Sequence, residues 1–183
     1  MKTKKRKIFY FISFFICITL FLVGAFVFYN IKYPLKFNQF INYYSNVFNL
    51  EPSLVASIIN EESSFKCNCV SNSGAIGLMQ IIPNTARYIA EEILKEEYIE
   101  EKLFLPETNI KYGCCYLNYL SKKFENTQEV LCAYNAGETI VNKWLNNKKY
   151  SENGKLLNKI PYSETNIYIN KILKGKKYYM GRI

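Results

Sequence analysis

From Ile8 to Tyr29 the chain carries no charged residue and is dominated by Phe, Ile and Leu. At ~1.5 Å of rise per helical residue this run reaches across a hydrocarbon layer of ~30 Å, and it predicts a membrane-spanning helix. Beyond it the apolar positions change rhythm. Leu54, Val55, Ile58 and Ile59 follow Pro52, a residue suited to a first turn, at the i, i+3, i+4 spacing of one helical face. At roughly 100° per residue Glu62 falls near the centre of that face and Glu61 lies a further step round the helix, so the second glutamate points inward. Pro83-Asn84-Thr85-Ala86 opens a second predicted helix with Ile89, Ile93 and Leu94 on one side. Thr108-Asn109 opens a third, with Ile110, Cys114, Leu117 and Leu120 at helical spacing. Thr127 to Ala136 forms a fourth, stopped by Gly137, and Ser163 to Leu173 a last one, capped by Ser163. No alternating strand run stands out. The expected class is mostly α, with a single domain behind one transmembrane helix.

Charge orients that helix. Lys2, Lys4, Lys5, Arg6 and Lys7 precede the apolar run, whereas Lys32 and Lys36 follow it, so the positive-inside bias puts the N-terminus in the cytoplasm and the rest of the chain outside. A cleavable signal peptide is the competing reading. Its apolar region is usually shorter, and no small-x-small cleavage site follows Gly24-Ala25. Cys17 lacks the small residues of a lipoprotein acceptor before it, since Phe14-Phe15-Ile16 stand there, and reads as a lipid-facing side chain. The expected organisation is a basic cytoplasmic segment 1–7, an anchor 8–29, a connector 30–39, a catalytic domain 40–178 and a tail 179–183.

The formal charge of +9 comes partly from the anchor's flank: without those five residues, 19 basic groups stand against 15 acidic ones, a balance of +4. That argues against nucleic acid as a partner. The remaining excess gathers at Lys171, Lys174, Lys176, Lys177 and Arg182, where a basic surface would suit anionic wall polymers or lipid headgroups, or would simply be a solvated helix end. Five cysteines follow the anchor: Cys67, Cys69, Cys114, Cys115 and Cys132. An odd number cannot all pair within one chain, and a link from the Cys67/Cys69 loop to Cys114 or Cys115 is one option. Buried, unpaired thiols are the expectation for Cys114 and Cys132. With no His, and with Cys-x-Cys and Cys-Cys spacings, no zinc site is expected.

The chain has neither His nor Asp, so acid–base chemistry near neutral pH falls to Glu, Lys, Tyr or Cys, and a Ser-His triad cannot be built. A carboxyl on an apolar helix face is costly to ionise and keeps its proton available for a leaving oxygen. A lone buried Glu pairs with a Lys or a backbone donor more often than it catalyses. Here its company matters. Ile59-Asn60-Glu61-Glu62-Ser63-Ser64-Phe65 is followed by Ser71-Asn72-Ser73-Gly74-Ala75-Ile76-Gly77-Leu78-Met79-Gln80-Ile81-Ile82-Pro83-Asn84-Thr85-Ala86. Then come Phe104-x-Pro106-x-x-Asn109-Ile110-x-x-Gly113-x-x-Tyr116-Leu117, Ala133-Tyr134-Asn135-Ala136-Gly137, and Ile160-Pro161-Tyr162-Ser163-Glu164-Thr165 with Tyr168. In order and spacing these five blocks resemble the catalytic domain of soluble-lytic-transglycosylase (SLT) type, over about Phe40 to Tyr178.

The resemblance implies a lysozyme-like α fold and cleavage of the β-1,4 bond between N-acetylmuramic acid and N-acetylglucosamine in bacterial peptidoglycan, with no metal or organic cofactor. Glu62 matches the family's catalytic acid, which then takes the C6 hydroxyl proton to leave a 1,6-anhydro sugar. Ser71 and Ser73 match hydroxyls near the acetamido group and the acid, Gln80 a glycan-contacting amide, and Tyr134 and Asn135 cleft residues. Tyr168 matches a Tyr beside the acid, Glu164 a supporting position, and Ser63 is expected to orient the helix end or the acid. Gly74 and Gly77 are expected to give permissive backbone near the substrate. A muramidase using water on the same bond, or a low-turnover peptidoglycan-binding assembly factor, are the alternatives.

Overall fold

The computed structural model describes the backbone of residues 2–183 and the side chains from Phe9 onward. The basic flank at Lys2, Lys4, Lys5, Arg6 and Lys7 lies outside the described side chains. Two compact units divide the chain, residues 1–34 and 35–183. The first is a single helix, α1 (Lys2–Lys32), in which Phe9–Lys32 has a mean hydropathy of 2.7 and none of its most apolar window is buried. Such a helix is long and apolar enough to cross a membrane, and a signal sequence has the same properties.

The second unit is all-α. Its elements are α2 (Asn38–Val47), α3 (Pro52–Ser63), α4 (Pro83–Tyr88), a π-helical turn (Ile89–Leu94), a 3-10 turn (Glu100–Phe104), α5 (Pro106–Ser121), α6 (Thr127–Ala136), α7 (Glu138–Leu145) and α8 (Ser163–Tyr179). Among the described residues, extended pairing is confined to isolated bridges at Val70–Ile76 and Ile76–Ile81. The mostly α expectation is borne out.

α3 is the central element. Val55, Ala56, Ile58 and Ile59 are fully buried, and its most extensive packing is against α8. Ser57 Oγ donates to Ile172 O at 2.7 Å, so even the polar positions of α3 are used inside. The helix stops because Ser64 and Phe65 both take left-handed backbone, with φ of 51° and 61°. α5 packs against α2 and α6 and carries Ile110, Cys114, Leu117 and Leu120, all fully buried. Cys114, Cys115 and Cys132 are buried free thiols, and Cys67 and Cys69 are free as well.

Three helix boundaries differ from the sequence expectation. α5 opens at Pro106, whose missing N–H is harmless in a first turn, and not at Thr108-Asn109; Asn109 is buried inside the helix. Ser163 is the first helical residue of α8 and not its cap. Tyr162 holds the cap position in extended backbone, its ring edge-on to Trp144 at 4.9 Å. α8 also runs past Leu173 to Tyr179, because Ile172, Gly175 and Tyr179 prolong its buried stripe between the lysines. The predicted second helix is split: α4 ends at Tyr88 and widens into the π-helical turn, which stops at left-handed Lys95. α6 has the predicted extent, with Asn126 as its cap, accepting from the Gln128 and Glu129 amides at 2.9 and 3.3 Å. α2 and α7 were not anticipated.

Candidate active site

The last turn of α3 carries two adjacent carboxylates into different surroundings. Glu61 turns outward and pairs with Lys171 of α8 at 2.7 Å. Glu62 turns inward, where Tyr168 of α8 donates its hydroxyl to Oε1 at 2.6 Å. Burial raises the Glu62 pKa to about 7; the Tyr168 bond opposes that rise and the charge of Glu61 adds to it. A carboxyl held near pH 7 has a proton to give and can take one back. Tyr168 is itself buried, and burial and the charge of Glu62 push its phenol well up, so it stays a donor.

The loop between α3 and α4, which follows Glu62 in the chain, is tied down at several points. Ser63 Oγ lies 3.0 Å from Ile59 O and 2.8 Å from Leu78 O, joining the helix end to the loop. Buried Asn109 is the main clamp: its amide donates to Ile76 O at 2.9 Å and Leu103 O at 2.8 Å, and its carbonyl accepts from Met79 N at 2.7 Å. The loop can approach Asn109 only because residue 77 is glycine. With φ at 80°, a Cβ there would stand 2.2 Å from the Asn109 amide nitrogen. Gly113 similarly makes room for Met79, whose sulfur would lie 2.2 Å from an added Cβ.

Past Met79 the loop turns through Gln80 in left-handed backbone, φ 48°. The Gln80 amide donates to Gly77 O at 2.9 Å and Cys69 O at 3.2 Å, which fixes the side chain at the edge of a cleft of about 200 Å³. Tyr116, Tyr134 and Asn135 line the same cleft, with Ile82, Thr85 and Gly137. Tyr134 reaches across to donate to Met79 O at 2.8 Å, and burial and then the charge of Glu62 raise its phenol pKa. Tyr134 therefore lines the cleft while lying within electrostatic reach of the acid.

The other candidates are spread around this centre. Ser71 and Ser73 bond each other at 2.9 Å, and Ser71 Oγ accepts from Ala75 N at 3.0 Å, so both are engaged in the loop turn. Glu164 is exposed in the first turn of α8. Its neighbour Thr165 is buried and donates to Asn135 Oδ1 at 2.7 Å, tying α8 to the cleft. Glu138 pairs with Lys123 at 2.6 Å. Tyr116 and Asn109 were not singled out as site residues. For Asn109 a signal existed: an amide on the apolar stripe of Ile110, Leu117 and Leu120 needs partners that a helix does not supply. Among the described residues no group of three or more His, Cys, Asp or Glu is placed to hold a metal ion.

Comparison with known proteins gives a consistent picture. A family model described as the transglycosylase SLT domain matches residues 39–157. The soluble lytic murein transglycosylase of Escherichia coli K12 is 33% identical over 151 residues, 81% of this chain and 23% of that protein. The membrane-bound lytic murein transglycosylase C of Pectobacterium atrosepticum is 28% identical over 169 residues, 79% of this chain and 46% of that one. Among solved structures, the 70-kDa soluble lytic transglycosylase of Escherichia coli superposes with a TM-score of 0.71 at 32% identity, over 81% of this chain and 25% of that one. An inactive mutant of lytic transglycosylase Slt from Pseudomonas aeruginosa gives a TM-score of 0.74 at 25% identity, over 84% and 25% of the two chains. This chain thus spans about a quarter of the length of the soluble relatives it matches.

Proposed function

Because the chain belongs to the transglycosylase SLT domain family, we propose that it is a lytic murein transglycosylase, cleaving the β-1,4 bond between N-acetylmuramic acid and N-acetylglucosamine in peptidoglycan. The observation that carries this reading is Glu62: a carboxyl with a pKa near 7, bonded to Tyr168 beside a cleft lined by Tyr134, Asn135 and Gln80. Glu62 first donates its proton to the glycosidic oxygen as the C1–O bond breaks. The 2-acetamido oxygen of the muramoyl sugar bonds to C1. The Glu62 carboxylate then takes the C6 hydroxyl proton while O6 displaces the acetamido oxygen at C1. Glu62 ends protonated, one product carries a 1,6-anhydro end, the other a free 4-hydroxyl, and no water is consumed.

A hydrolase would need a second carboxylate about 5 to 9.5 Å from the acid to serve as nucleophile or to activate water. Glu61 is turned to Lys171 and Glu138 to Lys123, which favours the single-carboxylate route. In this scheme Tyr168 positions and tunes Glu62, Gln80, Tyr134 and Asn135 meet the sugars, and Ser63, Ser71 and Ser73 hold the loop that shapes the cleft. Glu164 supports the rim. Digestion of purified sacculi in heavy-oxygen water tests the reading. The expected products are 1,6-anhydro muropeptides without solvent oxygen; reducing muramoyl ends carrying solvent oxygen would establish a muramidase instead, and binding without cleavage an assembly factor.

The same reading extends to location. Residues 8–29 anchor the protein in the cell membrane as a single span, with 1–7 in the cytoplasm. A connector over 30–39 leads to the catalytic domain, 40–178, and the tail 179–183, all on the wall side. The apolar length of Phe9–Lys32 and the lysine-rich flank before it support this. Protease added to protoplasts should remove the domain; a mature chain starting near Ala25 would show a cleaved signal instead.

A further inference from the structure

The cleft beside Glu62 does not stop at the residues that enclose it. Two of its wall helices continue for a further turn with a tyrosine, and a third wall residue is followed directly by a carboxylate. On α4, Thr85 lines the cleft and Tyr88 follows three residues later on the same side. On α5, Tyr116 lines the cleft, Tyr119 follows it, and Lys123 comes four residues after that. At the start of α7, Gly137 lines the cleft and Glu138 comes next.

These outer residues touch one another. Tyr116 and Tyr119 are stacked at 6.1 Å with planes 16° apart, and Tyr88 stands edge-on to Tyr119 at 5.8 Å and 72°. Tyr116 in turn meets Tyr134 at 5.6 Å, so the four rings form a continuous row from beside the acid to the surface. Lys123 caps the row, 4.3 Å from the Tyr119 ring centre and 2.6 Å from Glu138 Oε1. Tyr88, 44% exposed, leaves much of its surface to solvent. A tyrosine held in place by neighbours yet open on one side offers an apolar surface edged by a hydroxyl, the combination that suits a pyranose ring, whose faces are C–H and whose edges are hydroxyls.

We propose that Tyr88 and Tyr119, with the Lys123–Glu138 pair at their edge, form an outlying saccharide subsite that holds one further sugar ring of the glycan strand occupying the cleft. One helical turn, about 5.4 Å, is comparable to the advance of a strand by one sugar, which matches the step from Thr85 to Tyr88 on α4 and from Tyr116 to Tyr119 on α5. The occupant follows from this continuity: a strand leaving the cleft along the tyrosine row meets Tyr88 next. The inference rests on the glycan-cleaving reading of the cleft but adds a binding position that the reaction itself does not require.

Binding and cleavage separate the two claims. The Glu62→Gln protein, with its apolar helix, in detergent micelles is titrated with β-1,4-linked N-acetylglucosamine oligomers from trimer to hexamer, using calorimetry. Affinity should rise with length. Adding Tyr88→Ala should weaken the longest oligomer about fivefold and leave the shortest bound as before, and Tyr88→Trp should restore the longest. With Glu62 present, Tyr88→Ala should raise KM on long strands without lowering kcat. Equal affinities in the presence and absence of Tyr88, equal losses at every length, or no binding by the Glu62→Gln parent would each overturn the subsite. None of these outcomes decides the product chemistry, which sacculus digestion by the wild type tests on its own.

Discussion

The two sides of the last turn of α3 carry the same functional group, one residue apart, into opposite circumstances. On the outer side Glu61 keeps a quarter of its side chain exposed and meets the ammonium of Lys171, itself 59% exposed. On the inner side Glu62 meets a buried phenol, has no ammonium partner among the described residues, and holds its proton to about pH 7. The chemistry of the turn is thus set by where the helix points each carboxylate. A salt bridge on the outer side is worth little to stability, whereas desolvation on the inner side changes which protonation state exists at neutral pH.

The largest break in this comparison is Glu62→Gln. It should reduce turnover on sacculi by at least about 10²-fold, the scale of a lost general acid, while circular dichroism stays unchanged. It should also stabilise the fold in a pH-dependent way. In the unfolded chain Glu62 loses its proton near 4.5, but in the folded chain only near 7. Its protonated form therefore contributes stability that is fully present below about pH 4.5 and lost as pH rises through 7. The glutamine variant should gain relative to wild type by up to about 3 kcal/mol on going from pH 4 to pH 8, read by denaturant melts at each pH. A difference that is constant with pH would mean that Glu62 is not desolvated.

Removing the inner partner sharpens the contrast. The Tyr168 hydroxyl stabilises the ionised carboxylate, so Tyr168→Phe should raise the Glu62 pKa further above 7. Because the reaction starts from protonated Glu62, kcat/KM should fall with rising pH around 7 in wild type, and that fall should move to higher pH in the phenylalanine variant. Below the fall the variant should be slower by about tenfold, since the carboxyl is less well oriented, and its products should be unchanged. A fall that stays where it was would assign the titration to another group.

Much of the inner side was legible in the sequence because helical geometry is local. The spacing of Val55, Ile58 and Ile59 fixes which glutamate faces inward, and the Tyr134-Asn135 and Glu164-Thr165 blocks meet where Thr165 donates to Asn135 at the cleft. The clamp was not legible. Asn109 acts on Ile76 and Met79, about thirty residues earlier, and its importance depends on Gly77 leaving space that only the folded loop reveals. The helix ends failed for a related reason: local signals at Thr108-Asn109 and Ser163 yielded to Pro106 and to the packing of Tyr162 on Trp144. α7 was hidden because Gly137, read as a stop for α6, is also the hinge after which the next helix begins at once.

The smallest effect tests whether the outer side influences the inner at all. The charge of Glu61 raises the Glu62 pKa, and Lys171 sits on that charge at 2.7 Å. Glu61→Gln should therefore lower the Glu62 pKa and move the fall in kcat/KM to lower pH. Lys171→Met leaves the Glu61 charge unbalanced and should move it to higher pH. Each displacement should be about a few tenths of a pH unit, the scale of one charge acting over several ångströms near water, and should shrink as salt is raised from 0.02 to 0.5 M. Opposite displacements are the point of the pair. If the salt bridge served only to pin α8 against α3, breaking it from either end would loosen the Tyr168–Glu62 contact in the same way, and both variants would shift in the same direction without regard to salt.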